Sequence, residues 1–572
     1  MAERHGYTNS HLPEPSPANH FPPGYPFIIS LIIRLFGEGI DIVKKANGFF
    51  FFATLILLFL TIKDLTKNIH IAFVSSLIVM LNAHLLLYSS IEMSEVPFAF
   101  FTILSIWCFI KTFNKGKALS QPFFWMLIIS IICSFYIRSI GIALLGASLL
   151  ILIINKRWVQ ALVLALCFIM AYTPWYIRSE QLGGNTYSKQ IMMVNPYRPE
   201  LGNISLSDLP KRFIENANRY LGLEINSAYK GVTINDYTSP LTWKDYCLSI
   251  TFLLLTFIGI FSLEKFKWYI LSIIVSSFFI LMLWPTVWMG VRFILPFIPM
   301  LLFLTIQGFF NVSKTIIQRV SKKKINWPVV PLAFLLLIPL FIPAISLLNE
   351  HAKSEYDGGY GDYLKLASWC KDSLPENAII CTRKPELFYL NAHRKVSGYP
   401  FITNSNDFFD FLKKEHITHV VIDRLGFSSN NLYLIPAIDN NLEKVKRIKS
   451  LNDSWIVQVY TDDTFGYVGE RDSLGRKEGK GISHYCDSAV YEGEFHEGKR
   501  NGFGKYTYPK NGYYIGEFKN DLREGKGTIY LNSGGYITGE WKDDALNGTG
   551  TQYNRNGKAL KTGIWVGNKL KK

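Results

Sequence analysis

The chain has 572 residues, of which 49% are hydrophobic and 18% charged, with a formal net charge of +16. From about residue 45 to 348 it runs as repeated apolar stretches with short charged breaks, which excludes a soluble core for that part. The positive charge sits largely in those breaks, as at Lys63 and Lys67, Lys111 to Lys117 and Lys322 to Lys324. That is the footprint of membrane topology and excludes a nucleic-acid groove.

A bilayer core needs roughly 20 apolar residues per spanning helix. The runs predict helices at 46–63, 69–88, 95–113, 122–138, 139–155, 157–177, 245–263, 267–286, 291–312 and 327–348. Residues 122–155 are one continuous run and must be divided near Tyr136–Gly141. Lysine and arginine fall in every odd break: Lys63 and Lys67, Lys111 to Lys117, Lys156 and Arg157, Lys265 and Lys267, Arg319 to Lys324. By the positive-inside rule those breaks are cytoplasmic, so both ends and the long loop 178–244 lie outside.

Before the first span, residues 1–44 form an external segment. Its apolar stretch Phe27–Gly37 is too short to cross a bilayer. With Pro26 before it and Gly37 at its end, it reads as a helix lying in the interface plane. After the last span, residues 349–461 read as a small α/β domain. Helices are expected at 360–373 and Ser405–Lys414, and strands at Ala378–Thr382, His419–Asp423 and Trp455–Thr461.

A repeat follows at 466–565. Gly479-Lys-Gly481, Gly502-Phe-Gly504, Gly525-Lys-Gly527 and Gly548-Thr-Gly550 recur every 23 residues. Gly-Glu pairs at 469, 493, 516 and 539 keep nearly the same beat, and Asn-Gly turns punctuate the segment. Each unit is therefore expected as a β-hairpin stacked on the next. The pattern resembles MORN repeats, which implies an elongated antiparallel sheet serving as a binding surface, with a partner the sequence does not name.

Candidate chemistry sits at the outer helix ends. Glu95 opens a span within Ser94-Glu95-Val-Pro97. It is either a carboxylate complementing the helix dipole or an ionisable group kept at membrane depth for function. Arg138, Arg178 and Arg292 fall at outer ends too. Each is either an interface anchor or a bidentate phosphate ligand. Asn82 and His84 are the main polar exceptions within the spans. Four of the seven cysteines lie in or beside spans and read as apolar packers. Cys370 and Cys381 are either a disulfide or two buried thiols. His5, His11 and His20 read as solvated loop residues.

Several motifs stand in the order found in GT-C glycosyltransferases. They are Pro22-Pro-Gly-Tyr25-Pro26, Ser94-Glu95-x-Pro97, Tyr136-Ile-Arg138, Pro174-Trp175-x-x-Arg178 and Arg292-x-x-x-Pro296-x-x-Pro299. Over about 1–460 the chain resembles the protein-mannosyltransferase and aminoarabinose-transferase branch. The resemblance implies a polytopic α-helical membrane fold in domain 45–348. It also implies transfer of a sugar from a polyprenyl-phosphate carrier to an acceptor outside the membrane, with inversion at the anomeric carbon. Tyr25, Glu95, Arg138, Arg178 and Arg292 are then the expected substrate-binding residues. Expected partners are the lipid-linked sugar and membrane lipid, in a bacterial inner membrane with the soluble part extracytoplasmic. A divalent metal ion is the one cofactor left open.

The family's base, an Asp early in the first external loop, has no counterpart, since Met1–Thr8 resembles the stretch after it. One further helix and that Asp are expected upstream of Met1. The chain as given is then expected to turn over poorly, with Glu95 the carboxylate candidate. Two other readings stand beside this one. They are a non-catalytic membrane scaffold working through its repeats, and a transporter of lipid-linked sugars.

Overall fold

The computed structural model describes residues 7–571 except 20, 38–39, 185, 232–239, 321–344, 347, 350–357 and 462–464. It divides into two compact units. One holds residues 17–354 with the first eight residues, and the other holds 355–572 with residues 9–16.

The first unit is helical. Among the described residues, five helices are long and apolar enough to cross a membrane: Asp41–Thr66, Glu95–Lys115, Trp158–Gln181, Trp243–Phe261 and Leu295–Ile316. A sixth span results if Ile69–Met80 and Ala83–Ser89, bent by 64° at their junction, count as one. Three more of the expected runs are helices of 16 residues: Pro122–Ile137, Ser139–Ile154 and Lys267–Met282. At 1.5 Å per residue each reaches about 24 Å, short of a core of about 30 Å. The expected span at 327–348 lies largely outside the described residues.

The long run at 122–155 divides at Arg138, whose extended backbone (φ −147°, ψ 129°) ends one helix before the turn Ser139–Gly141 starts the next. Gly141 allows that turn, because a Cβ there would meet Phe135 N at 2.7 Å. Leu162, Leu166, Ile169 and Met170 stay exposed along one helix, as residues facing hydrocarbon do. The helix before the spans is Gly24–Phe36, with Phe27, Leu31, Leu35 and Phe36 exposed.

Among its described residues the second unit contains a five-stranded and a ten-stranded sheet. One has five strands in the order Lys395–Ser397, Ile379–Cys381, His419–Ile422, Ser454–Val459 and Val445–Leu451. The first three are parallel and the last two antiparallel to their neighbours. Helices Gly358–Ser373, Pro385–Ala392 and Ser405–Lys414 pack with it. Cys370 and Cys381 are separate buried thiols, and burial pushes Cys370 up to about 12.

The other sheet has ten antiparallel strands in chain order, from Gly466–Arg471 to Lys569–Leu570. Its register sets glycine against glycine: Gly504 faces Gly516, Gly527 faces Gly539 and Gly550 faces Gly563. The bare backbone there leaves room for a ring. Tyr514 lies over Gly516 and Gly527, and Trp541 Nε1 donates to Gly527 O at 3.0 Å. Arg500 with Asp521 and Arg523 with Asp544 repeat one ion pair 23 residues apart, each at 3.1 Å.

A candidate functional site in the helical unit

Helix starts and ends converge on a cavity of about 420 Å³ in the helical unit. Glu95 is the first residue of its helix, and its side chain is only 3% exposed. Arg138 terminates the neighbouring helix, and its extended backbone sends the guanidinium across. Nη1 sits 2.6 Å from Glu95 Oε1 and also donates to Ser94 Oγ at 3.4 Å. The other carboxylate oxygen, Oε2, is buried and has no hydrogen-bond partner among the described residues. Charges held out of water are costly unless paired, so this contact fixes both side chains.

Arg292 belongs to the short turn Val291–Phe293, which follows Gly290 in the left-handed region (φ 120°). Its guanidinium lies 4.6 Å from the Phe293 ring centroid, and Arg138 lies 5.8 Å from the same ring. Among the described residues Arg292 has no hydrogen bond or ion pair. It is the cavity's uncommitted cation. Tyr25 lines the wall as well. Its hydroxyl accepts from Asn47 Nδ2 at 3.3 Å, while Asn47 also reaches Ile91 O at 2.6 Å and Met93 O at 3.1 Å. Gly24 lets this helix press against Tyr136, whose carbonyl a Cβ would meet at 2.5 Å.

Tyr25, Glu95, Arg138 and Arg292 thus come together, and Arg178 does not line the cavity. The Arg178 guanidinium is occupied elsewhere. It donates to Ala18 O at 2.7 Å and Tyr7 O at 3.1 Å, and stacks between Tyr7 and Trp175. Its part is to hold the N-terminal segment, from which Tyr7 does line the cavity.

Sequence reasoning missed Trp284, Trp288 and Tyr197, which also line it. Trp284 meets Trp288 edge-on at 5.9 Å and Phe293 at 4.9 Å. The break Trp284-Pro-Thr-Val-Trp288 between two spans was the available signal, since tryptophan favours membrane interfaces. Among the described residues, no three His, Cys, Asp or Glu side chains group as metal ligands, and Glu95 is the cavity's single carboxylate.

Residues 44–180 match the dolichyl-phosphate-mannose-protein mannosyltransferase family. The chain carries a glycosyltransferase-family domain. Glu95, Arg138 and Arg178 fall inside this mannosyltransferase-family region, while Tyr25 and Arg292 lie outside it. Residues 491–513, 514–536 and 538–558 match the MORN repeat. No curated protein matches the chain in sequence.

Among solved structures, the chain is similar to ArnT from Cupriavidus metallidurans bound to undecaprenyl phosphate (TM-score 0.47, 10% identity, 80% of this chain and 89% of that one). It is also similar to the oligosaccharyltransferase AglB from Archaeoglobus fulgidus in complex with an inhibitory peptide and a dolichol-phosphate (TM-score 0.45, 12% identity, 73% of this chain). The chain spans 63% of the length of that archaeal protein.

Proposed function

We propose that this chain is a membrane glycosyltransferase that takes a sugar from a polyprenyl-phosphate carrier and delivers it to an acceptor at the outer leaflet. The observation that carries the reading is the pairing of an uncommitted Arg292 with a second arginine, Arg138, in one cavity beside a buried carboxylate. An acceptor oxygen attacks the anomeric carbon, the bond from that carbon to the phosphate oxygen breaks, and the phosphate leaves with the electron pair. Two guanidiniums near the leaving oxygen stabilise charge as it develops, and they are worth more there than in water. Tyr25, Trp284 and Trp288 give the sugar aromatic walls.

The acceptor's proton needs a base. Glu95 is the carboxylate available among the cavity's described residues, and its Oε2 is free to accept. The outer-leaflet assignment rests on the lysine and arginine distribution between spans. The location in a bacterial inner membrane belongs to the same reading, as does an extracytoplasmic place for the α/β and repeat sheets.

The test is a transfer assay in proteoliposomes with a radiolabelled polyprenyl-phosphate sugar, comparing the chain with Arg292→Ala and Glu95→Gln. Carrier binding is expected in the unaltered chain and is expected to weaken at least tenfold in Arg292→Ala, the loss of about one charge-assisted hydrogen bond. Equal binding by both would remove Arg292 from the site.

A further inference from the structure

Helix Leu209–Arg219 packs a polar side inward. Arg212, Asn216 and Arg219 share one face at spacings of four and three residues, and Arg212 and Asn216 are buried. Except for Arg219 Nε, their donors go to backbone carbonyls of two other segments. Arg212 reaches Ile191 O and Met193 O, both at 2.6 Å. Asn216 Nδ2 reaches Met282 O and Trp284 O, both at 2.8 Å. Arg219 Nη1 reaches Thr286 O at 2.6 Å, and its Nε pairs with the fully buried Glu224 at 2.7 Å. Glu224 Oε1 also accepts from Gly290 N at 3.5 Å.

These carbonyls are not arbitrary. Met282 ends the helix Lys267–Met282, where carbonyls lack intrahelical partners and the dipole favours positive charge. Residues 282–290 lead directly to Arg292 and carry Trp284 and Trp288. Residues 191–193 sit between Gln190 and Tyr197, which also line the cavity. None of Arg212, Asn216, Arg219 or Glu224 lines it.

The clamp is itself seated on the spans. Asn82 Nδ2 donates to Ala228 O at 2.8 Å, His84 Nε2 meets Ser227 Oγ at 3.0 Å, and Tyr229 Oη meets Thr256 and Thr305 at 3.0 and 2.9 Å. The two polar exceptions of the apolar spans thus bind the helix Ile225–Lys230, which follows the clamp helix in the chain.

We infer that Arg212, Asn216, Arg219 and Glu224 are positioning residues that hold the 282–292 segment so that Arg292 and the two tryptophans face a bound phosphate and its sugar. The inference rests on the proposed function for the identity of the ligand. The geometry of the clamp stands without it. Arg219 serves Glu224 and Thr286 O from two nitrogens of one planar fork, a geometry that lysine's single ammonium does not reproduce.

The experiment uses the full chain in detergent with Arg219→Met/Glu224→Leu, which removes both charges so that neither is left buried alone. Asn216→Leu is the second variant and reads the same quantities if the first fails to fold. Two measurements are made. Hydrogen exchange is followed at 284–292, and a short-chain polyprenyl phosphate is titrated against the matching uncharged polyprenol.

Exchange at 284–292 is expected to rise at least tenfold. The preference for phosphate over alcohol is expected to fall about tenfold, as far as in Arg292→Ala. Adding Arg292→Ala to the double variant then lowers it no further, because coupled groups are not additive. A folded variant with unchanged exchange overturns the clamp. Faster exchange with an unchanged phosphate preference overturns its positioning role. If the unaltered chain shows no preference for phosphate over alcohol, the proposed function fails, and exchange alone decides the clamp.

Discussion

Removing either partner of the Glu95–Arg138 pair should cost far more than removing both. Nη1 and Oε1 are 2.6 Å apart, with side chains 17% and 3% exposed. At an effective dielectric of about 20 the attraction is roughly 6 kcal/mol before desolvation is subtracted. Truncating one member leaves the other charge buried alone, a loss of about 3–5 kcal/mol. Arg138→Met and Glu95→Gln should each destabilise by that order, whereas the double variant should cost well under the sum. Unfolding in detergent micelles, followed for all four chains, gives the coupling energy directly. The expected coupling is about 2 kcal/mol or more. Additivity to within about 0.5 kcal/mol would mean that the two groups act independently, and the reasoning that makes this pair the fixed wall of the cavity would fail.

Arg178→Ala should raise exchange at Tyr7 and Ala18, whose carbonyls it holds, while carrier affinity falls less than in Arg292→Ala; an equal fall would make Arg178 a ligand. Gly527→Ala should lower the melting temperature of the repeat sheet, since the Tyr514 ring occupies the space a methyl would need; overpacking typically costs about 1–3 kcal/mol, and an unchanged melt would deny the ring its seat. Burial lowers His419 to about 4. The unfolded chain therefore takes up a proton that the folded chain refuses as pH falls through about 6.5. Stability of the second unit should drop by up to about 2 kcal/mol between pH 6.5 and 5, and His419→Gln should abolish that slope in a urea titration.

The sequence shows most where its periodicity is strong. Nine of the ten expected runs are helical in the described residues, because 16 or more apolar residues leave few alternatives. The repeat strands follow from their 23-residue beat and from glycines that only a sheet with overlying rings explains. In the α/β sheet, Lys395–Ser397 and Val445–Leu451 escaped notice. The first is three residues long, and the second is a basic edge strand whose exposed side hides its alternation. At the cavity, charged residues at helix ends could be read from the spans. The tryptophans could be read only as interface residues, since their place on the cavity wall depends on a loop fixed by Asn216 and Arg219 from a distant helix. Arg178 shows the converse limit. Its motif places it at the outer end of a helix, yet what its guanidinium meets is decided by carbonyls some 160 residues away.

The repeat sheet cannot be removed cleanly at its first residue. Its opening hairpin, Gly466–His484, is built into the α/β sheet's unit. Lys477, 3% exposed, pairs at 2.5 Å with Glu443, which is fully buried. Burial lowers Lys477 against its ordinary value, and the neighbouring Glu443 opposes that shift. Cys486 N donates to Glu443 O at 2.8 Å, and Ser405 N donates to Leu474 O at 3.4 Å. Later hairpins bury their rings on one another, as Tyr514, Phe518 and Trp541 do. Two truncations should therefore behave differently. Ending the chain at 510 keeps the contacts of Lys477, Leu474 and Cys486 and should leave the α/β unit's melting temperature within a few degrees. Ending it at 465 strips Glu443 of its cation and its backbone partner, and should lower that temperature by roughly 5 °C or more, the shift expected for losing on the order of 1–2 kcal/mol in a domain of this size. Equal melts for the two would mean that the repeats are a free appendage. Unequal melts would mean that the first hairpin belongs to the α/β unit and only the later ones form a separable surface.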